Sequence, residues 1–550
     1  MAGLCALAGA VFYQLADADG LEAPAALVAT ATISFVLTVE RRRALWAILF
    51  ALLWGAVIAL IVQGNRGYNV NPSPFEWPFW SALLAVVVAA PLFQTWRDVA
   101  ASPAAWRWDR LPYDRLHLHA WTDAVIGVAA GVFVGISVAL AYLIAGLFAL
   151  IGIDILKDLL DDGWFAFLLM GAAFGAAVGL LRERDRLVGT LQRLVMVVLA
   201  VLAPVLAAAL ALFLLSLVAT GFGKLWASGF STAALMLGAA AFAVLLTNAV
   251  IGNGRADRAV GRVMQWAAPV LAVAVLPLAA IALSAMLLRI GQYGWTPERL
   301  WGMVAVLVAL GYGAAGLWAV VRGRGDFDDV LRPLQQKLAI GLMLLATLLA
   351  LPLIDFGAIS TRDQLARLTS GQVKPERFDW AAMAFDFGPA GRAALTALTQ
   401  SPKADIADSA RIALAAKSRW ELVDGRDQVP LRPIETMARV LPQGAVLDDA
   451  MLAALDRDSP CRRHVCIVQR VGDSRMAVIG RYRADGPLEA SWFERAPGGG
   501  EWRRLFAGPG GGDQGRTDAI DLNRAEIRIR PVTRQQVEVN GIPVGEPVAP

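Results

Sequence analysis

Two of the three histidines in this 550-residue chain lie in one short segment, "RLHLHAWTD", at residues 115–123. An extended backbone would point His117 and His119 the same way, so that they could share a metal ion. A helical backbone would separate them around the axis and bring Asp123 onto the face of His119. Catalytic zinc needs three protein ligands and an open position, and no third nitrogen or sulfur ligand is nearby. We therefore predict no metal site and no catalytic site, but a polar interfacial site of His117, His119 and Asp123, with Thr122 or Asp123 capping the following helix.

The histidines belong to an unusually apolar chain. It is 57% hydrophobic and 17% charged, whereas soluble domains are nearer half apolar and a quarter charged. Residues 356–550 hold 27 of the 50 Lys and Arg and 25 of the 46 Asp and Glu. The composition therefore predicts a membrane-embedded block followed by a soluble tail. The net charge of +4 is small for this length and gives no support for a nucleic-acid partner.

The apolar block contains eleven segments that approach the length needed to cross a bilayer, which is roughly 20 residues. The first two are short, so that they form either a shallow hairpin or two crossings. Residues 1–355 are thus predicted to be an all-α polytopic membrane helix bundle of about eleven transmembrane helices. The segments are 1–16, 24–39, 44–63, 79–95, 124–153, 163–181, 195–219, 231–251, 267–288, 304–321 and 338–355.

The loops between these segments predict the orientation of the chain. Alternate loops, beginning with "ERRR" at 40–43, carry 18 Lys and Arg in total, and the intervening loops carry 5. Because cytoplasmic loops accumulate Lys and Arg, the N-terminus is predicted to be cytoplasmic and the tail extracytoplasmic. Charged residues lie only near the ends of the predicted spans. This pattern argues against a transporter driven by protons or sodium through membrane carboxylates.

Small and polar residues inside the spans predict how the helices pack. Gly171, Gly175 and Gly179 recur at a spacing of four, which would place them on one helix face and allow close approach of a neighbour. Asn248 is expected to make a hydrogen bond between helices.

Two loops predict helix starts. Thr296 followed by Pro297 is typical of a cap and a first helical residue. The acidic run Asp326, Asp328 and Asp329 is interpreted as a solvated helix start, with a magnesium site as the alternative.

The tail is predicted to be α+β, in two parts. Residues 356–460 have apolar residues at helical spacing, which indicates a short helical array. Residues 461–550 contain short β-rich runs separated by turn residues, which indicates a small, mostly antiparallel β domain. Cys461 and Cys466 in "CRRHVC" are expected to form a disulfide outside the cell. Metal binding with His464 and free thiols are the alternatives.

Three segments carry a family resemblance: "FWSALLAVVVAAPLFQTWRD" (79–98), "RLHLHAWTDAVIG" (115–127) and "QYGWTPERLWGMVAVLVALGYG" (292–313). Together with "TNAVIGNG" they resemble a family of uncharacterised bacterial multi-pass inner-membrane proteins, catalogued as a domain of unknown function. The resemblance implies a bacterial inner membrane and supplies no activity, substrate or site residue.

The sequence favours a function without catalysis. No nucleophile–base set or cofactor motif is visible, so we expect neither an enzyme nor a cofactor. The favoured hypothesis is an envelope scaffold or sensor, embedded in the lipid bilayer, whose extracytoplasmic domain binds an envelope protein partner. The alternative is a transporter or flippase for a lipid-like or apolar substrate. A polar-lined cavity that reaches mid-membrane would favour transport, and a solid Gly/Ala-packed core would favour the scaffold.

Overall fold

The chain folds into two compact units, Met1–Ala415 and Ala416–Pro550. The computed structural model describes residues 1–40, 43–64, 73–99, 111–223, 231–423, 434–442, 445–458, 461, 465–472, 474–480, 489–495, 502–505, 522, 527, 535–539 and 542–548. The unit boundary lies inside the segment 356–460 that the sequence interprets as one helical region. The first helices after residue 355 therefore belong to the same unit as the apolar helices.

The regular elements described in the first unit are all helices, because its long apolar runs lack strand-like alternation. Its helices are α1 (Ala2–Asp17), α2 (Glu22–Thr38), α3 (Ala44–Gly64), α4 (Ser73–Val99), α5 (Tyr113–Ala149), α6 (Ile155–Asp161), α7 (Gly163–Arg182), α8 (Asp185–Thr220), α9 (Thr232–Ile251), α10 (Arg262–Tyr293), α11 (Pro297–Gly323), α12 (Phe327–Ala350), α13 (Phe356–Thr369), α14 (Gly388–Leu398) and α15 (Ala404–Ala415).

Eight helical segments in the described residues are long and apolar enough to cross a membrane. The last of them, Pro297–Ala350, is 54 residues long and comprises α11 and α12. Helices α1 and α2 are shorter and also apolar. The chain is therefore a multi-pass membrane protein, but the exact number of about eleven crossings is not confirmed by these lengths.

Helix α5 begins much earlier than the sequence predicts. It starts at Tyr113, directly after Pro112, and runs for 37 residues. Thr122 and Asp123 therefore lie in its interior, and the prediction that either one caps a helix is wrong. The helix contains no proline after Pro112, and buried Leu116 joins its apolar face to the core, so the helix extends through the histidines. The predicted start of α11 is confirmed, since the Thr296 side chain accepts a hydrogen bond from the Arg299 N–H.

Glycines bring α1 and α7 into close contact. A Cβ atom on Gly171 would lie 2.1 Å from the Cys5 carbonyl oxygen, and one on Gly175 would lie 2.7 Å from that of Met1. A Cβ atom on Gly179 would meet only the Met1 side chain, at an ordinary 3.6 Å. The backbone of α1 thus passes over the first two glycines, whereas Gly179 has space for a side chain.

The second unit contains α16 (Arg419–Val423), α17 (Ile434–Met437), α18 (Asp449–Asp458) and strands β1 (Ala438–Leu441), β2 (Cys466–Val471), β3 (Arg475–Gly480), β4 (Glu489–Arg495), β5 (Trp502–Leu505), β6 (Gln535–Val539) and β7 (Ile542–Val548). Strands β1 to β5 form a sheet in sequence order. Val440 pairs with Val468 in parallel, and the other neighbours are antiparallel. Strands β6 and β7 form a separate hairpin.

This sheet is mixed, not purely antiparallel, because of β1. Its segment, "ARVL", was included in the helical region predicted for 356–460, but it lies beside β2. The predicted disulfide is confirmed: Cys461 and Cys466 are bonded, and both are buried in the core beneath the sheet. His464 lies outside the described residues, as does most of the β-rich run at 525–532.

Candidate functional site

An apolar cavity lies within the first unit. It has a volume of about 570 Å³, which falls in the range of about 300–1,000 Å³ typical of small-molecule sites. Helices α4, α9, α10, α11 and α12 line it. Its lining residues are Trp77, Trp80, Ser81, Leu84, Leu237, Ala240, Ala241, Val244, Val275, Trp301, Val304, Ala305, Val308, Ala309, Tyr312, Leu342, Leu345, Ala346 and Leu349.

Small residues in the lining leave room for the cavity. Alanines from α9, α11 and α12, among them Ala241, Ala309 and Ala346, contribute to the lining, and their side chains are too short to meet in the middle. The Ser81 hydroxyl is already used, since it donates to the Ala346 carbonyl oxygen at 2.9 Å. The walls therefore offer dispersion contacts to an apolar chain and few polar groups.

Aromatic rings line one end of the cavity, which we call the aromatic end and define by Trp77, Trp80 and Trp301. The rings of Trp77 and Trp301 are stacked with their centroids 5.9 Å apart. Phe356, the first residue of α13, meets Trp301 edge-on at 5.0 Å. Tyr312 lies further along α11, and its hydroxyl makes no hydrogen bond within the part of the chain that the structure describes.

A second, polar pocket lies at the far end of α4. It has a volume of about 330 Å³ and is lined from α2, α4, α5, α7 and α8. Two contacts, one turn apart, join α4 to α5 along it. The Gln94 amide donates to the Asp123 carboxylate at 3.0 Å, and the His119 Nε2 lies 2.8 Å from an Asp98 carboxylate oxygen. Because α5 is helical, His119 and Asp123 lie on one face and both line the pocket.

Two arginines of this pocket hold the end of α2. Arg97 is 6% exposed, donates to the Thr38 carbonyl oxygen and pairs with Glu40 at 3.2 Å. Arg182 donates to the carbonyl oxygens of Val36 and Val39, both at 2.7 Å. The last carbonyls of a helix carry partial negative charge, so guanidinium groups are stabilised there.

His117 lies on a different face of α5 from His119. Its side chain is buried between the rings of Tyr113 and Trp121, with centroids 5.7 and 6.2 Å away. Asn248 lies nearby and accepts a hydrogen bond from the Tyr113 hydroxyl at 3.4 Å, which links α9 to α5. The two histidines therefore do not share a site. Among the described residues, no group of three or more His, Cys, Asp or Glu side chains could hold a metal ion.

The sequence missed a buried ion-pair network at the start of α12. Asp328 is 1% exposed and bonds to Arg332 at 2.7 Å, so the interpretation of this acidic run as solvated is wrong for Asp328. Arg332 also donates to the Ile251 carbonyl oxygen at the end of α9. The i,i+4 spacing of Asp328 and Arg332 was the available signal. At the surface, a hydrogen bond to Asp329 raises the pKa of Arg255 above its usual range.

Comparison with known proteins returns one match. A family model for a domain of unknown function, DUF4153, matches residues 2–398, which include both the apolar cavity and the polar pocket. No curated protein and no solved structure matches the chain.

Proposed function

The chain belongs to the DUF4153 family, and we propose that it binds a lipid-like molecule in the apolar cavity. The observation that carries this proposal is the size and chemistry of that cavity, about 570 Å³ lined almost entirely by apolar side chains. Burial of apolar surface contributes about 25 cal/mol per Å², so a hydrocarbon chain is the group that these walls would bind best.

The aromatic end of the cavity would suit the polar headgroup of a bound lipid-like molecule. Tryptophan rings prefer the headgroup level of a bilayer, and three of them, Trp77, Trp80 and Trp301, line this end of the cavity. A bound amphiphile would direct its chain towards Tyr312 and its head towards the tryptophans. The cavity is neither the polar-lined path that would favour transport nor the solid core that would favour a scaffold. Its apolar walls support binding of a lipid-like molecule, and a carrier or flippase activity would require movement of that bound molecule as a further step.

The proposed topology has about eleven crossings of a bacterial inner membrane, a cytoplasmic N-terminus and a periplasmic C-terminal domain. The Lys and Arg content of the alternate loops, 18 against 5, supports it. A C-terminal alkaline phosphatase fusion is expected to be active and a C-terminal green fluorescent protein fusion dark. Fluorescence without phosphatase activity would contradict this orientation.

Filling the apolar cavity with a larger side chain tests whether it binds lipid. We expect Ala309→Trp to occupy the space between α11 and its neighbours and to reduce the amount of lipid that remains bound during purification, measured by native mass spectrometry. Leu307→Trp is the matched control, because Leu307 lies on the same helix, is 58% exposed and does not line the cavity. Equal lipid retention in both variants, with unchanged melting temperatures, would refute lipid binding in this cavity.

A second candidate function, the envelope scaffold or sensor, is favoured by the second unit. Its disulfide-bonded sheet forms a compact unit of its own, which suits a domain that binds an envelope protein partner. Crosslinking in native membranes followed by purification tests this function. A specific partner that is lost when residues 416–550 are deleted would support it, and recovery of the same partner without them would contradict it.

A further inference from the structure

We infer that the polar pocket between α4, α5, α7 and α8 binds a zwitterionic group that carries a phosphate and a primary ammonium, as the headgroup of phosphatidylethanolamine does. This site lies at the opposite end of α4 from the aromatic end of the cavity, and the inference does not depend on the proposed function. Its basis is the presence of both signs of charge in one pocket of about 330 Å³.

The carboxylate of Asp123 supplies the ammonium subsite. Within the described residues it accepts a hydrogen bond from the Gln94 amide alone, although an ionised carboxylate has about four acceptor positions. An ammonium group has three N–H donors and would use the remaining positions. Asp98 is less suited to this role, because His119 and Arg97 already contact it at 2.8 and 3.1 Å.

The guanidinium groups of Arg97 and Arg182 supply the phosphate subsite. Both line the pocket with Thr122 and Gln192, whose hydroxyl and amide groups are further donors. The terminal nitrogens of both arginines already donate to carbonyl oxygens of α2. The arginines therefore attract a phosphate by their charge, and Thr122 and Gln192 donate hydrogen bonds to it. Arg97, Arg182 and Asp123 all line the same pocket of about 330 Å³, so one small ligand could meet both subsites.

The surroundings of the pocket favour a headgroup. The pocket is formed where α4 and α7 end and where α5 and α8 begin, so it lies at the ends of candidate spans. Its remaining walls are apolar and include Leu118, Ile126 and Leu181, which suits the glycerol and first methylenes of a lipid. A simple anion would meet the repulsion of the Asp123 carboxylate, whereas a zwitterion brings its own positive charge to that carboxylate.

The test measures binding of defined lipids to the purified full-length protein in detergent. The probes are phosphatidylethanolamine, phosphatidylglycerol with the same acyl chains, and soluble glycerophosphoethanolamine, each followed by the shift in melting temperature. We expect phosphatidylethanolamine to half-saturate at about tenfold lower concentration than phosphatidylglycerol, since one charge-assisted contact is lost in the latter. A shift with glycerophosphoethanolamine equal to that with the lipid would identify a soluble zwitterion as the source of the same chemistry.

Two variants make the result specific to this pocket. Asp123→Asn removes the ammonium partner. Gly189→Leu places a larger side chain in the pocket without replacing a charged residue, and a Cβ atom at Gly189 meets no atom within 4 Å. Both are expected to abolish the preference for phosphatidylethanolamine. Asp114→Asn, at an exposed position of the same helix, is the control and should keep it. Equal binding of the two lipids to the wild type, or a preference that survives in Gly189→Leu, would overturn the inference.

Discussion

Trp77 of α4 and Trp301 of α11 stack with their ring centroids 5.9 Å apart and their planes 19° from parallel. The stack joins two helices that line the apolar cavity. Phe356 extends the contact to α13, since its ring meets Trp301 edge-on at 5.0 Å. These three rings therefore connect the first helix after the last apolar span to the aromatic end of the cavity.

Replacing Trp301 with alanine should speed release of a ligand from the cavity. The change removes two aromatic contacts, each contributing about 1 kcal/mol beyond surface burial. We expect a fluorescent lipid analogue to dissociate at least about fivefold faster, as measured by stopped-flow fluorescence. Trp266→Ala is the control, because Trp266 is 74% exposed and lies away from the cavity lining. The same increase in both variants would show that the stack does not retain ligand.

Asp363 is predicted to hold α13 against the connection between α10 and α11. Its carboxylate accepts the Trp295 N–H at 2.9 Å and the Arg367 Nε–H at 3.1 Å. Asp363→Ala should destabilise this docking by about 2 kcal/mol, since hydrogen bonds to charged groups are the stronger ones. Hydrogen exchange of the α13 amides should accelerate about thirtyfold.

The matched control for Asp363 is Asp408→Ala. Asp408 pairs with Arg411 on the surface of α15, where both side chains are 61% exposed, so little change is expected. If α13 exchanged at its original rate in Asp363→Ala, the carboxylate would not be the anchor of this helix.

Gly171 and Gly179 belong to the same spacing pattern in the sequence, but of these two glycines α1 packs closely only against Gly171. Gly171→Ala should lower the free energy of unfolding by about 1–3 kcal/mol, because the new methyl group would overlap the Cys5 carbonyl oxygen. Gly179→Ala should be neutral or slightly stabilising, because its methyl group meets only a flexible side chain. Thermal unfolding in detergent measures both. Equal stability of the two variants would contradict the close approach of α1 at Gly171.

The double variant His117→Ala plus His119→Ala is predicted to leave the metal content unchanged. The two rings lie on different faces of α5, one between Tyr113 and Trp121 and the other against Asp98. Elemental analysis by mass spectrometry of the purified protein measures bound metal. Loss of stoichiometric metal in the double variant would contradict the interpretation of this segment as purely polar packing. The single variant His119→Ala should lower the melting temperature, because Asp98 loses a partner.

Much of the membrane unit could be predicted from periodicity and charge alone. Long apolar runs favour helices in a bilayer, and each of the predicted segments lies mostly within one helix of the structure. The pairing of Cys461 with Cys466 followed from their spacing and predicted compartment. These features depend on local sequence, which a single chain displays directly.

The remaining features of the fold and of the pockets depend on contacts between residues that are distant in sequence. The polar pocket needs Gln94, Arg97 and Arg182 beside Asp123, and these residues come from three different helices. Asp328 is buried only because Arg332 reaches the end of α9. Strand β1 was interpreted as helical because "ARVL" is too short to show alternation, and its pairing with β2 decides its conformation. The cavity likewise arises from alanines on helices that local patterns cannot bring together.

The most direct test of lipid binding is a high-resolution cryo-electron microscopy map of the full-length protein in a native-lipid nanodisc. We predict elongated density along Val308 and Tyr312 inside the cavity, with the stacked rings of Trp77 and Trp301 at its end. A map in which α4, α11 and α12 close together and leave no space for a chain would contradict the account.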